Sequence, residues 1–170
     1  MFMNDTFRQM RRKRQLLSDG ETINILNRCT SGVLALLGDN EYPYALPISY
    51  VYDDGCIYFH SAISGHKIDA ITSNEKCSFC VIEQDNVIPS EFTTYFRSVI
   101  AFGRIHIIHD DATRMKALQI LGNHYNPGDD ENLRKEIEKG WSHVAVMRME
   151  IDHITGKEAI ELVRSRVNKE

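Results

Sequence analysis

The chain has 170 residues, 42% of them apolar and 26% charged, and a formal net charge of −4. That length suits one domain, residues 1–170, around a single core, and the acidic balance gives no electrostatic case for nucleic acid or an anionic membrane as partner. No apolar run approaches the ~20 residues that span a bilayer, and the N-terminal residues lack the apolar core of a secretory signal, so the expected location is cytoplasmic.

In chain order, Arg11-Arg12-Lys13-Arg14 reads as the solvated face of a helix-compatible stretch ending in Leu16 and Leu17, as short basic runs commonly do. Ser18-Asp19-Gly20-Glu21 has capping-box spacing and starts a short helix carrying Ile23, Ile25 and Leu26, so residues 1–28 are expected to form an N-terminal helical segment. Residues 32–37 read as a first strand, closed by a turn at Gly38-Asp39-Asn40. Residues 44–52 form a second, and Asp53-Asp54-Gly55 turns it into a third over 56–61. A helix is expected over 65–73, then a strand over 76–83. After a loop around Val87-Ile88-Pro89 comes a long strand over 95–109.

Asp110 or Asp111 caps the next helix, in which Ala112, Met115, Leu118 and Leu121 recur on one side. Asn126-Pro127-Gly128 breaks it, and a second helix with Leu133 and Ile137 runs to Gly140. A last strand over 143–151 leads into a polar turn and a C-terminal tail, residues 152–170. Six strands joined mostly antiparallel, with helices inserted, predict a small β-barrel of the mainly-β or α+β class. A doubly wound parallel sheet is excluded, because helices do not regularly separate the strands.

The four cysteines do not make a metal site. Cys77 and Cys80 fall in one strand, where three-residue spacing points their side chains to opposite faces, so buried free thiols are expected. His106 and His109 are set apart by the same argument. No Gly-x-Gly-x-x-Gly or phosphate-loop motif is present, nor any serine, cysteine or paired-carboxylate constellation for hydrolysis. Trp141 reads as core rather than as a cofactor platform.

The chemistry concentrates where the third strand enters its helix. His60, Ser61, Ser64, Gly65, His66 and Lys67 fall within eight residues, at a junction that leaves backbone N–H groups unpaired and places the positive end of the helix dipole. Lys67 in the first turn opposes that dipole at roughly 0.3–1 kcal/mol unless an anion lies between them, so the junction reads as a phosphate cradle. His60, sharing a face with Cys56 and Tyr58, is placed to reach a ligand at the barrel rim; its alternative is a histidine satisfied by a neighbouring carbonyl. Pro47 deletes a ladder donor from the second strand, implying an edge, a bulge or a gap. Such a gap frees backbone groups for a planar heterocycle, with Ser49 adding a hydroxyl and Ile48 and Tyr50 able to pack on a ring. Arg97 and Ser98 open the long strand, where they can complete an anion site, and Gly103 marks a bulge or a close backbone approach.

Taken together, Arg11-Arg12-Lys13, the run from Leu46 through Pro47, Ile48, Ser49 and Tyr50 to Gly55, the run Ile57-Tyr58-Phe59-His60-Ser61-Ala62 with Gly65 and Lys67, and Ser98 to Arg104 resemble the nitroimidazole-resistance (Nim-type) branch of the pyridoxamine 5′-phosphate oxidase-like FMN-binding split β-barrels. The resemblance covers residues 11–151. It implies a homodimer with FMN at the subunit interface, the flavin ring against Pro47, Ile48, Ser49 and Tyr50, and the phosphate at His60, Ser61, Ala62 and Lys67. Ser98 is a further cofactor contact, and His60 is the histidine near the flavin. The Arg-rich phosphate motif and C-terminal Arg and His pattern of true pyridoxamine-phosphate oxidases have no counterpart, so vitamin B6 oxidation is not expected.

Because the isoalloxazine carries the electrons, the protein need supply only binding, orientation and tuning. The resulting expectation is an FMN-dependent oxidoreductase, reduced by a donor such as NAD(P)H and reducing a small planar acceptor such as a nitroaromatic. His60 is its candidate catalytic residue, and no metal is expected. The alternatives are a non-catalytic FMN-binding or redox-sensing module and a haem-handling barrel, which His106, His109, His124 and His143 permit.

Overall fold

Alternation of apolar and polar residues builds a single antiparallel sheet from seven strands: β1 (Ser31–Leu37), β2 (Pro43–Ser49), β3 (Val51–Asp53), β4 (Cys56–Ala62), β5 (Lys76–Ile88), β6 (Thr93–Ile107) and β7 (Val144–Glu158). Five α-helices accompany these strands among the described residues: α1 (Asp19–Arg28), α2 (His66–Ser73), α3 (Asp111–Tyr125), α4 (Asp130–Gly140) and α5 (Ile160–Val167). The computed structural model describes residues 7–167.

The strands pair in the order β2-β1-β5-β6-β7-β4-β3. The two outermost strands, β2 and β3, are consecutive in the chain and separated by Tyr50 alone. The sheet therefore curls until its edges approach one another, yet those edges share no ladder. The result is an α+β split barrel, open at Tyr50.

The barrel interior is filled from alternate positions of each strand. Leu34, Ile57, Phe59, Val81, Ile105 and Met149 are all fully buried, each worth about 1.5–3 kcal/mol relative to exposure. The Phe79 ring takes Tyr50 and Phe59 edge-on, at centroid distances of 4.8 and 5.2 Å, the arrangement aromatic quadrupoles favour. A second cluster, built on Val51, Leu118, Leu121, Ile137 and Val146, seats α3 and α4 on the sheet. β4 separates the two, sending Ile57 and Phe59 into the barrel and Tyr58 toward the helices.

Local signals set most boundaries. Ser18 Oγ accepts from Glu21 N–H at 3.2 Å and caps α1. Asp110, rather than Asp111, caps α3 by accepting from Thr113 N–H at 2.7 Å. Asp54 and Gly55 both take positive φ, 44° and 80°, in the β3–β4 turn, as a tight hairpin requires.

The structure departs from expectation where bonds from elsewhere in the chain, or a bulge, intervene. There are seven strands rather than six, because Tyr50 leaves the ladder and splits the expected strand 44–52 in two. Residues 11–17 form one 3-10 turn, Lys13–Gln15, rather than a helix face. In α3 the buried residues are Ala117, Leu118 and Leu121, while Ala112 is exposed, since a three-residue stripe drifts off one face of a 3.6-residue helix. β5 continues past a register shift at 82/84 to Ile88.

β7 continues to Glu158, and α5 replaces the expected tail. At 102/103 the register of β6 on β7 shifts, leaving Asp152 without a partner. The inward positions then change from Met147 and Met149 to Gly156 and Glu158. A reading based on strict alternation ends at that bulge. Gly103 sits there because a Cβ would collide with the Glu150 carbonyl. The four cysteines are free, with Cys77 buried and Cys80 half-buried on the opposite face.

Candidate functional site

β4 ends in Ser61 and Ala62, and the chain then turns through Gly65 at φ +116° into α2. This conformation favours glycine. No side chain caps the helix. Gly65 carbonyl accepts from Ile68 N–H at 2.8 Å and Asp69 N–H at 3.2 Å, whereas the N–H groups of His66 and Lys67 have no acceptor among the described residues. They open on solvent at the positive end of the helix.

Lys67 is half-buried and forms no ion pair among the described residues. Burial pushes its ammonium pKa below the ordinary lysine value. A partly desolvated lysine on the same helix turn as two N–H groups that lack acceptors has the chemistry to take a phosphate. Ser61 Oγ presently donates to Ala62 carbonyl at 2.9 Å, so its hydroxyl must rotate to face a ligand. The adjoining His66 stacks on Tyr44 at 4.0 Å and lies 3.9 Å from Asp39 Oδ2, fixing the helix start against the entry to β2.

His60 lies on the other face of β4 from Ser61 and borders a cleft of about 250 Å³ beneath the α3–α4 hairpin. Leu118, Leu121, Leu133, Ile137 and Val144 form its apolar walls, with Tyr125 and Glu136 as polar members. Desolvation there, and then the positive charge of Lys67, lower the imidazole pKa below the ordinary histidine value of 6.5. His60 is therefore neutral at pH 7, with one nitrogen free to donate and one to accept. A single junction thus links an anion cradle to an apolar cleft.

The proposed ring contacts divide. β2 is an edge strand, paired only with β1, which resolves the Pro47 alternatives in favour of an edge and leaves one side of its backbone unpaired. Pro47 and Ser49 are exposed, but Ile48 packs against the barrel core. Tyr50 is fully buried, its hydroxyl donating to Leu26 carbonyl at 2.8 Å and its backbone engaged by Thr30 and Tyr125. The Tyr50 ring is therefore taken up by the core and cannot pack on a ligand as the sequence suggested, whereas Ile48 is half-buried.

Ser98 also lies away from the cradle of its own chain. Tyr44, against which His66 stacks, adjoins a row of partners Ala45–Ala35–Ser78–Phe102. Ser98 is four positions further along β6, roughly 13 Å at strand rise. It faces outward, since its neighbour Val99 is buried. That outer face is apolar. Its rows Pro47–Val33–Cys80–Ile100–Thr155 and Ala45–Ala35–Ser78–Phe102–His153 cross five strands. Val33, Ile82, Ile100 and Phe102 are 38–61% exposed on it.

The profile of the pyridoxamine 5′-phosphate oxidase family matches residues 18–158. The chain belongs to that family. Among solved structures, a candidate 5-nitroimidazole antibiotic resistance protein from Bacteroides thetaiotaomicron is similar at TM-score 0.68 and 20% identity, over 84% of this chain and 86% of that one. An FAD-binding protein from Mesorhizobium loti gives 0.62 at 26% identity, over 85% and 97%. An FAD and heme binding protein from Mycobacterium smegmatis gives 0.74 at 23%, over 86% and 73%. Among curated proteins, none matches the sequence.

In this pyridoxamine 5′-phosphate oxidase family member, the sequence pointed neither to Tyr125 nor to the packing role of His66. Tyr125 reaches back from α3 to Tyr50, and His66 anchors α2 on Tyr44. Both act across long sequence separations, and only the aromatic residue types hinted at them. The family member's His106 and His109 form no metal cluster with other candidate ligands among the described residues. No described helix is long and apolar enough to cross a membrane. Trp141 is half-buried in the second cluster beneath the Arg114 guanidinium, 4.1 Å from the ring centroid.

Proposed function

We propose that this pyridoxamine 5′-phosphate oxidase family member is a cytoplasmic, homodimeric FMN-dependent oxidoreductase that takes electrons from NAD(P)H and reduces a small planar acceptor such as a nitroaromatic. The observation that carries the reading is the half-buried Lys67 at the start of α2, without an ion-pair partner among the described residues and two strand residues and a turn away from His60 and its apolar cleft.

Lys67 and the N–H groups of His66 and Lys67 hold the phosphate, with Ser61 rotating to join them and Ala62 lining the approach. The unpaired edge of β2 at Pro47 and Ser49 offers backbone donors and acceptors to the ring. Bound FMN supplies the two-electron chemistry. The cleft beneath α3–α4 takes the acceptor, its apolar walls excluding water. Neutral His60 donates a hydrogen bond to the acceptor and holds a proton at the imidazole nitrogen.

The outer sheet face supports the dimer. Exposed apolar surface in contiguous rows marks an interaction site, and Ser98 on that face contributes to the cofactor from there. The flavin-binding neighbours support the cofactor class, and the nitroimidazole-resistance neighbour supports the acceptor class.

The test is an absorption spectrum of the purified protein, followed by extraction of any flavin and its identification as FMN or FAD. Stopped-flow mixing with NADPH and then a nitroaromatic follows. A colourless protein that takes up no added flavin overturns the reading. Bound flavin that no nicotinamide donor reduces leaves a binding module in its place.

A further inference from the structure

Helix α4 contributes four residues to the wall of the cleft at His60: Leu133, Glu136, Ile137 and Gly140. Offsets of three, four and seven residues put all four on one stripe of a 3.6-residue helix, so their Cβ atoms share a direction toward the cleft. An apolar or small residue suits such a stripe, and Glu136 is the exception. The neighbouring charges of α4 pair on its other faces, Lys135 with Glu131 at 2.7 Å and Arg134 with Glu138 at 3.8 Å. Glu136 has Lys139 at 3.5 Å, but both side chains are largely exposed, so water screens the pair and holds it loosely.

The two ends of the cleft therefore differ in charge. At the β4 end stands neutral His60, whose imidazole senses the positive charge of Lys67 and that of no carboxylate. Glu136 lines the same cleft without perturbing that ring, which sets it at the opposite end. Between them the walls are apolar, with Leu118, Leu121 and Val144. The Tyr125 hydroxyl is spent on the backbone of Tyr50. Among the described residues that line the cleft, Glu136 is the only carboxylate.

We propose that Glu136 selects the acceptor: the cleft takes a small planar ring whose electron-accepting group meets His60 and whose far end carries a protonated amine against the Glu136 carboxylate. This selectivity rests on the cleft's role as the acceptor site. The volume of about 250 Å³ suits a single substituted ring. A carboxylate at the far end of the ring meets repulsion from Glu136. Because Glu136 is exposed, its preference is a modest factor that salt weakens.

Isothermal titration of the full chain supplied with FMN, at low salt and without electron donor, tests the proposal with three probes of similar size: 4-nitrobenzylamine, 4-nitrobenzyl alcohol and 4-nitrophenylacetate. The amine binds about 3- to 5-fold more tightly than the alcohol, and the acid about 3- to 5-fold more weakly. With NADPH added, kcat/KM follows the same order. Glu136→Gln brings the three affinities within about 2-fold of one another, and Glu136→Lys reverses their order. Both changes fall on an exposed side chain and leave the fold intact. Gly140→Leu, at a position whose Cβ meets open space, fills the cleft and weakens all three probes. Equal wild-type affinities overturn the proposal, as does an order that survives Glu136→Gln or binding that survives Gly140→Leu. Charge-ordered binding with no turnover of any probe upholds the amine preference and overturns the oxidoreductase reading. Turnover of all three at equal affinity overturns the amine preference alone, and probes that do not bind overturn both.

Discussion

The hydroxyl of Tyr125 lies 2.6 Å from the carbonyl oxygen of Tyr50 and 3.1 Å from its nitrogen, closing with a side chain the gap where the barrel strands do not pair. It is also 2.8 Å from Thr30 carbonyl. With one proton to donate, the hydroxyl shares it between the two carbonyls while accepting from Tyr50 N–H. This fixes the end of α3 against the β2–β3 break and so sets one wall of the cleft beside His60.

Tyr125→Phe removes all three contacts and deprives the Tyr50 carbonyl of its donor, while Tyr50 N–H keeps Thr30 carbonyl at 3.3 Å. Stability falls by about 1–3 kcal/mol, which a thermal melt reads as a loss of roughly 2–4 °C per kcal/mol for a chain of this size. Flavin affinity stays unchanged, because the phosphate cradle rests on α2 rather than α3. An unaltered melt would show that the split is held by other contacts.

Lys67→Ala deletes a charge-assisted bond of about 1.5–3 kcal/mol, so FMN affinity, followed by quenching of flavin fluorescence, drops roughly 10- to 150-fold. Lys67→Arg retains part of it. In the wild type, affinity also weakens as pH rises toward the lysine pKa, which burial places below its ordinary value. Equal affinity in Lys67→Ala would move the phosphate elsewhere.

His60 titrates below 6.5, first because its surroundings desolvate it and second because Lys67 repels its charged form. In Lys67→Met the second cause is removed, so the imidazole midpoint, read by NMR, moves upward yet stays below 6.5. The folded state binds fewer protons here than the unfolded chain. The stability contributed by neutral His60 is therefore complete above the unfolded value and lost as pH falls through the lower folded value. An unmoved midpoint in Lys67→Met would separate His60 electrically from the cradle.

Ile100→Glu places a charge in the middle of the outer apolar face, where Ile100 is 40% exposed in the single chain. The fold tolerates it, because the side chain points away from the barrel. In sedimentation the variant runs as a monomer and purifies with less flavin than the wild type. A variant that remains dimeric and fully flavinated would locate the interface on another face.

Much of this molecule is written locally. Ser18 and Asp110 cap their helices, Asp54-Gly55 turns the hairpin, and the cradle from Ser61 to Lys67 is contiguous in sequence, so each was legible without knowledge of the fold. The outer reach of β7 was not legible, because one bulge at Asp152 inverts the alternation on which strand recognition depends. Tyr50 was misjudged for a related reason. An aromatic residue in a strand reads alike whether its ring meets a ligand or the core, and the curl of the sheet decides which.

The sequence alone determined the antiparallel class, most of the turns and helix caps, and the glycine-turned, uncapped start of α2 with its unpaired N–H groups, since these follow from residue spacing and bonds within a few positions. The tertiary structure alone decided that the barrel splits at Tyr50, that Ser98 faces outward from its own chain's cradle, and that the α3–α4 hairpin roofs the cleft at His60, with Tyr125 meeting Tyr50 across a sequence separation of 75. The physical reason is that facing, burial and closure depend on which distant segments compete for the same backbone groups. Gly65 to Lys67 form their turn from nearby atoms, but Tyr50 is placed by Leu26, Thr30 and Tyr125.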